Sequence, residues 1–113
     1  MQRNFRLTRS TDFKRVRRDG KSYAHPLIVL IALENQLSTT RVGVTAGKSV
    51  GNAVKRNRAK RLIRAAARAL HPHMATGWDL VLIARSPIIQ VKMPQVYDAL
   101  QGLLQRASLL KND

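Results

Sequence analysis

The amino-acid sequence predicts a single domain of the α+β class, with the element order helix, three strands, helix, strand, helix. Its 113 residues are the usual length of one compact domain. Hydrophobic residues make up 44% of the chain, which is enough to build a core. Short runs of β-branched residues also alternate with longer segments of helical periodicity. We expect residues 1–113 to form this one domain, with flexible ends at 1–8 and 110–113.

The first helix and the three strands after it are predicted from local signals. Ser10 or Thr11 can cap a helix that ends before Gly20, and Asp12 would then lie near the positive end of the helix dipole. The apolar, β-branched run that follows Pro26 predicts a buried strand. The strands are expected at residues 22–24, 27–33 and 41–46, with a polar turn at 34–40.

Two further helices and a fourth strand complete the predicted domain. Asn52 can cap a long helix that runs to about Leu70, where residues 71–73 interrupt it. Residues 78–84 predict another strand. Pro94 fits the first turn of the last helix. The apolar residues of that helix fall on one stripe, made of Met93, Val96, Tyr97, Leu100, Leu103, Leu104 and Ala107.

The charge of the chain indicates a polyanionic partner. Lys and Arg number 21 against 6 Asp and Glu, which gives a formal net charge of +15 at pH 7. Such an excess destabilises a compact fold by self-repulsion, and a partner whose phosphates release condensed counterions offsets that cost. Nucleic acid is the favoured partner, and an anionic membrane surface is the second candidate. Most basic residues precede residue 70, so the binding surface is expected in the first two thirds of the chain.

The composition argues against several other classes of protein. Without cysteine the chain can form no disulfide, thiolate metal site or cysteine nucleophile, and it fits a reducing cytosol. The basic N-terminal segment does not lead into an apolar run with a cleavage site. The longest apolar run, residues 27–33, is about a third of a membrane span. We therefore expect a cytoplasmic protein that does not cross a membrane.

The second helix, residues 52–70, carries the strongest functional signal. A turn of about 100° per residue separates an apolar side from a basic side that Arg56 and Arg58 flank. No acidic residue occurs in the helix, so like charges such as Lys60 and Arg64 repel one another unless phosphates neutralise them. The apolar side consists of Ala59, Leu62, Ile63, Ala66 and Leu70, and the basic side of Asn57, Lys60, Arg61, Arg64 and Arg68.

The residue types favour RNA binding over a membrane contact or over chemistry. Arginine predominates on the basic side, and its planar guanidinium binds phosphate in a bidentate manner and stacks on bases, as folded RNA requires. The apolar side is rich in alanine and lacks an aromatic anchor for a membrane. The six acidic residues are scattered, and His71 and His73 are expected in a solvated turn. The sequence therefore predicts RNA binding and no catalytic residues in the protein.

The block at residues 51–64, with Arg56-Asn57-Arg58 at its centre, resembles the signature of the bacterial ribonuclease P protein family. The flanking segments at residues 5–7, 12–13, 41–44 and 79–85 also resemble segments of the family and occur in the same order along the chain. The likeness extends from about Arg6 to Leu110, and the block is its specific part. A structural module such as a ribosomal protein or RNA chaperone is the alternative, and a nuclease that acts without RNA is a third candidate.

The resemblance implies both a fold and a function. Members of the family fold as a two-layer α/β sandwich in which the helix with the Arg-Asn-Arg motif joins two parallel strands by a left-handed crossover. They assemble with a catalytic RNA that removes the 5′ leader from precursor tRNA. The RNA-based holoenzyme requires Mg²⁺, whereas no cofactor bound by protein side chains, no membrane and no obligate protein partner is implied. Transferred by position, the residues that contact the catalytic RNA are Arg56, Asn57, Arg58, Lys60, Arg61, Arg64 and Arg68.

The resemblance also implies a cleft between the sheet and the first helix that takes the single-stranded leader. By position, Phe13, Arg17, Lys48 and Asn52 would lie in or beside it. Many members carry a second aromatic residue one helical turn after the first, and in this chain Arg17 stands there. Stacking on leader bases, worth about 1–3 kcal/mol per base, should therefore contribute less, and charge more. Phe13, three residues before Val16, also fits an ordinary core contact.

Overall fold

The computed structural model describes residues 5–111, and within that range it contains three α-helices and one four-stranded sheet. The α+β class and the predicted element order are confirmed. The elements are α1 (Ser10–Asp19), β1 (Lys21–Ala24), β2 (Ile28–Glu34), β3 (Arg41–Ala46), α2 (Ala53–Leu70), β4 (Trp78–Ala84) and α3 (Met93–Arg106). Short 3₁₀ turns lie at Lys48–Val50, His71–His73 and Ser86–Gln90.

The strands are arranged in the order β1-β2-β4-β3, which leaves β3 at one edge of the sheet. β2 pairs antiparallel with both β1 and β4, whereas β3 runs parallel to β4, with Val42 opposite Leu80 and Val44 opposite Leu82. Parallel neighbours need a crossover connection, and here α2 supplies it. The left hand of this crossover stays a prediction from the resemblance.

Both faces of the two central strands are covered, because successive side chains of a strand point to opposite sides. Leu30 and Leu82 point to one face and join the large core under α2 and α3. Ile31 and Val81 point to the other face, where α1 covers them with Val16. This double burial explains why β2 and β4 are continuous apolar runs in the sequence and not alternating ones.

The starts of α2 and α3 and the end of α1 before Gly20 agree with the sequence prediction, but the start of α1 does not. Asn52 caps α2, accepting a hydrogen bond from the Lys55 amide at 3.0 Å. Pro94 lies in the first turn of α3, as predicted. The prediction that Ser10 or Thr11 caps α1 was wrong. The helix already includes Ser10, and the carbonyl of Arg9 accepts the bonds from the amides of residues 12 and 13.

Replacing Asn52 with alanine should lower the free energy of unfolding by about 1 kcal/mol, because the Lys55 amide loses its partner. Chemical denaturation measures this loss. Asn57→Ala is the matched control, since it removes the same side chain from an exposed position inside the same helix. Alanine is the better helix former, so the control should be neutral or stabilising. An equal loss in both variants would contradict the capping role.

Both ends of the described chain pack against the body of the protein, where we expected flexible segments at 1–8 and 110–113. Leu7 is buried, and its amide donates to the Val42 carbonyl at 3.0 Å on the free edge of β3. Leu110 forms a bridge with Met74, and the Lys111 amide donates to the His73 carbonyl at 2.8 Å. The remainder of the two predicted segments, residues 1–4 and 112–113, lies outside the described residues.

Candidate nucleic-acid interface

The predicted separation of an apolar and a basic side on α2 is confirmed. Ala59, Ile63, Ala66 and Leu70 are buried, and Leu62 is half-buried against the core. Ala67, which the periodicity did not assign to this side, is buried as well. On the basic side and its flanks, Asn57, Arg58, Arg61 and Arg68 are exposed, whereas Arg56, Lys60 and Arg64 are half-buried.

The basic residues of α2 are not neutralised by acidic side chains within residues 5–111. The ion pairs there join Arg15 and Arg41 to Asp79, Arg15 to Asp12, and Arg18 to Asp19. Arg58 alone among the arginines of α2 donates a side-chain hydrogen bond in this range, to the Val91 carbonyl at 3.2 Å. The helix therefore presents uncompensated positive charge to solvent, as a phosphate-binding surface does.

A groove lies between α1, β3 and α2, and we call it the α1–β3 groove. It consists of two adjoining depressions of about 330 and 360 Å³ that share Thr8, Phe13 and Val44. The first is completed by Arg6, Leu7, Val42, Arg64 and Arg68. The second is completed by Ser10, Lys14, Arg17 and Thr45. Arg64 and Arg68 thus belong both to the basic side of α2 and to the wall of the groove.

Phe13 both makes a hydrophobic core contact and lines the groove. Its ring is half-buried against the small hydrophobic cluster under α1, and it also lines both depressions of the groove. Gly43 in β3 makes room for the ring, since a Cβ atom there would lie 2.5 Å from Phe13 Cζ and 3.0 Å from Leu7 Cβ. A side chain at position 43 would therefore displace Phe13 from the groove.

Of the other predicted leader-binding residues, Arg17 lines the groove, whereas Lys48 and Asn52 do not. Arg17 is exposed and lines the second depression, next to Thr45. Lys48 and Asn52 are exposed in the turn that follows β3 and at the cap of α2, and they do not line either depression. Their contact with the leader stays a prediction.

A buried carboxylate that binds residues of α1 and β3 was missed by the sequence reasoning. The Asp79 side chain is completely buried at the start of β4. Its Oδ1 accepts from Arg41 Nε and from Asn35 Nδ2, both at 2.9 Å, and its Oδ2 accepts from Arg41 Nη2 at 2.8 Å and from Arg15 Nη2. A lone acidic residue at the start of a buried strand was the available signal, since such a group requires cationic partners.

These partners control the ionisation of the buried carboxylate. Burial alone would raise the pKa of Asp79, but hydrogen bonds from Arg41, Asn35 and Arg15 outweigh it and hold the pKa below its ordinary value. The same bond raises the pKa of the Arg15 guanidinium. The network is therefore ionised at neutral pH and joins α1, β3 and β4.

The lowered pKa of Asp79 predicts a loss of stability in acid. The stabilisation that it contributes is complete above the pKa of the unfolded chain, about 3.9, and is lost as the pH falls through the lower folded-state value. Chemical denaturation of the wild type and of Asp79→Asn between about pH 6 and pH 2 measures it. The difference in unfolding free energy should narrow as the pH falls below about 4. A difference that does not change with pH would contradict the prediction.

Within residues 5–111, no group of three or more His, Cys, Asp and Glu side chains is arranged to hold a metal ion. In the same range no helix combines the length and the apolar character that crossing a membrane requires.

The fold and the site together define a class of protein. A small α+β domain with an arginine-rich helix beside a basic groove is typical of the RNA-binding subunits of ribonucleoproteins. The model of the family described as ribonuclease P matches residues 1–108. The chain belongs to this ribonuclease P protein family, whose members are protein components of a tRNA-processing ribonucleoprotein.

Individual relatives agree with the family match over nearly the whole chain. The ribonuclease P protein component of Roseiflexus castenholzii is 41% identical over 112 residues, which are 98% of this chain and 92% of the relative. That of Symbiobacterium thermophilum is 38% identical over 114 residues, covering 100% and 99% of the two chains. Among solved structures, the ribonuclease P protein of Staphylococcus aureus has a TM-score of 0.85 at 30% identity and covers 95% of this chain and 98% of its own. The Thermotoga maritima protein has a TM-score of 0.81 at 28% identity and covers 89% and 96%.

Proposed function

We propose that this chain binds the catalytic RNA of ribonuclease P and the 5′ leader of precursor tRNA in the cytoplasm. By doing so it promotes endonucleolytic removal of the leader, while the RNA carries the catalysis. The observation that carries the proposal is the continuity of the basic side of α2 with the α1–β3 groove. Arg64 and Arg68 belong to both, so one RNA can lie on the helix while a second strand enters the groove beside it.

The basic side of α2 acts by electrostatics. Catalytic RNA and precursor tRNA are both polyanions, and their mutual repulsion opposes the assembly of enzyme and substrate. Guanidinium groups such as Arg61 and Arg64 neutralise phosphates of the catalytic RNA and release condensed counterions. In this way the protein lowers the Mg²⁺ concentration that the RNA needs in order to fold and to bind its substrate.

The α1–β3 groove distinguishes precursor from product. A single-stranded leader can stack one base on Phe13, for about 1–3 kcal/mol, and can place its phosphates against Arg17 and Lys14. Mature tRNA lacks the leader and gains nothing from these contacts. The protein therefore raises the affinity for the substrate and leaves the release of the product fast.

The chemical step is assigned to the RNA and its Mg²⁺ ions. A protein-based two-metal nuclease needs carboxylates that converge on the ions with free oxygens. Both oxygens of the buried Asp79 are already occupied by Arg15, Arg41 and Asn35. Asp79 therefore has no free oxygen with which to bind Mg²⁺.

Cleavage of a 5′-extended precursor tRNA at low Mg²⁺, with and without this protein and with and without ribonuclease P RNA, tests the proposal. The protein should stimulate cleavage by the RNA strongly and should cleave nothing alone. No stimulation, together with tight binding to unrelated structured RNAs, would instead support a structural module such as a ribosomal protein. Cleavage by the protein alone would support a self-sufficient nuclease.

The affinity for ribonuclease P RNA should depend steeply on salt. If about seven phosphates are neutralised by the side chains of α2, the logarithm of the association constant should fall against the logarithm of salt concentration with a slope on the order of −5 to −6. Filter binding across a range of KCl concentrations measures the slope. A slope near −1 would refute neutralisation by the helix as a whole.

A further inference from the structure

α1 forms one wall of the α1–β3 groove, yet its apolar contact with the sheet is narrow. The helix has ten residues, and Val16 is its one fully buried side chain. Phe13 adds a half-buried contact three residues earlier. Two contacts on one line resist rotation of the helix about its own axis less than a broad apolar face would. Such a rotation would move Phe13 and Arg17, two of the four groove residues that α1 contributes.

Arg15 supplies a second point of attachment, from the same helix to the start of the central strand β4. Its guanidinium donates to Asp79 and also lies 3.4 Å from Asp12. Asp79 itself does not move freely, because Arg41 binds both of its oxygens and Asn35 binds one. Residues 41 and 79 are directly paired in the parallel ladder of β3 and β4. The carboxylate is thus part of the rigid sheet, and Arg15 ties α1 to it.

The Asp79 network is better suited to fixing the orientation of α1 than to adding stability to the fold. Arg15 keeps about a third of its side chain exposed, whereas Asp79 is fully buried. A buried ion pair often stabilises a fold no better than apolar groups of the same volume, but a bidentate Arg–carboxylate pair adds geometric specificity. The ion pair between Arg18 and Asp19, by contrast, is exposed and stays within α1.

We propose that Arg15, anchored on Asp79, is a positioning residue for leader binding, because it sets the orientation of α1 and thereby the width of the α1–β3 groove. The inference rests on the proposed function, since it concerns the leader-binding part of that function alone. It assigns no contact between Arg15 and RNA. Arg15 acts through Phe13 and Arg17, and α2 remains the attachment to the catalytic RNA.

The test compares Arg15→Met with Arg18→Met in the complex with ribonuclease P RNA. Both variants remove one guanidinium from α1 and keep an unbranched apolar stem, but only Arg15 is tied to the sheet. The quantity measured is the ratio of affinities for precursor tRNA with a leader and for mature tRNA. This ratio should fall by roughly 10-fold in Arg15→Met, as expected when a remote change misplaces binding groups, and should stay near the wild-type ratio in Arg18→Met. Arg15→Lys, which retains a donor, should recover part of it.

The possible outcomes distinguish a positioning role of Arg15 from a role in folding or in binding the catalytic RNA. Equal ratios in the two methionine variants would overturn the positioning role, as would an Arg15→Met protein that no longer unfolds cooperatively, because Arg15 would then serve the fold as a whole. A loss of affinity for the catalytic RNA specific to Arg15→Met would also overturn it. If the wild-type complex shows no preference for precursor over mature tRNA, it is the leader-binding part of the proposed function that fails first.

Discussion

The triple substitution of Arg61, Arg64 and Arg68 by alanine is expected to weaken binding to ribonuclease P RNA by roughly 100-fold or more at moderate salt. Each guanidinium should contribute one charge-assisted contact to a phosphate. The slope of the salt dependence should become less steep by about one unit for each contact removed. Arg61 and Arg68 are exposed, and their removal relieves repulsion along the helix, so the melting temperature should change little.

A matched control separates the helix face from diffuse charge. Arg85, Lys92 and Lys111 are exposed basic residues outside α2, and their replacement by alanine removes the same total charge. Filter binding and thermal denaturation of both triple variants would measure affinity and stability side by side. Equal losses of affinity in the two variants would contradict a specific role of α2. A collapse of the melting temperature in the α2 variant, with RNA binding retained, would show that these arginines serve the fold.

The second large expected effect is a loss of folding stability when the Asp79 carboxylate is removed. Asp79→Ala should lower the free energy of unfolding by roughly 3 kcal/mol, because it leaves Arg41, Arg15 and Asn35 without the carboxylate that satisfies them. The two arginines are partly exposed and can recover some hydration, which keeps the loss below that of a fully buried charge. Chemical denaturation at neutral pH provides the measurement.

Asp19→Ala is the control for this stability prediction. Asp19 also forms an ion pair with an arginine, Arg18, but that pair is exposed on the surface of α1. Exposed pairs of this kind contribute little to stability. If Asp79→Ala costs no more than Asp19→Ala, the buried network does not hold the sheet and α1 together, and the positioning role of Arg15 loses its anchor.

Features that depend on a single element were predictable from the sequence. The basic and apolar sides of α2 follow from periodicity, and the Asn52 cap follows from a side chain that can accept a bond three residues later. One local signal, the capping preference at the start of α1, nevertheless gave a wrong prediction. Ser10 and Thr11 are good capping residues by type, but the helix begins one residue earlier, with the backbone of Arg9 accepting the first bonds.

Features that depend on how the elements meet were not predictable from local patterns. The groove combines Arg6 from the N-terminal segment, Phe13 from α1, Val44 from β3 and Arg64 from α2, which are far apart in the chain. Their convergence requires β3 to pair with β4 at the sheet edge, and this order has no local signature. The Asp79 network was missed for the same reason, since its partners come from three other segments. The resemblance to the family suggested that a cleft exists, but the residues that line it could be identified only from the structure.

The central claim is that two RNAs occupy two adjoining surfaces, the catalytic RNA on α2 and the leader in the α1–β3 groove. Because the 113 residues contain no cysteine, single-cysteine variants can carry a tethered iron chelate that cleaves nearby RNA with hydroxyl radicals. Ser10→Cys places the probe in the groove, and Asn57→Cys places it on the exposed face of α2. In active holoenzyme with bound precursor tRNA, the probe at position 10 should cut the 5′ leader and the probe at position 57 the catalytic RNA. Cuts confined to the catalytic RNA from both positions would contradict the account.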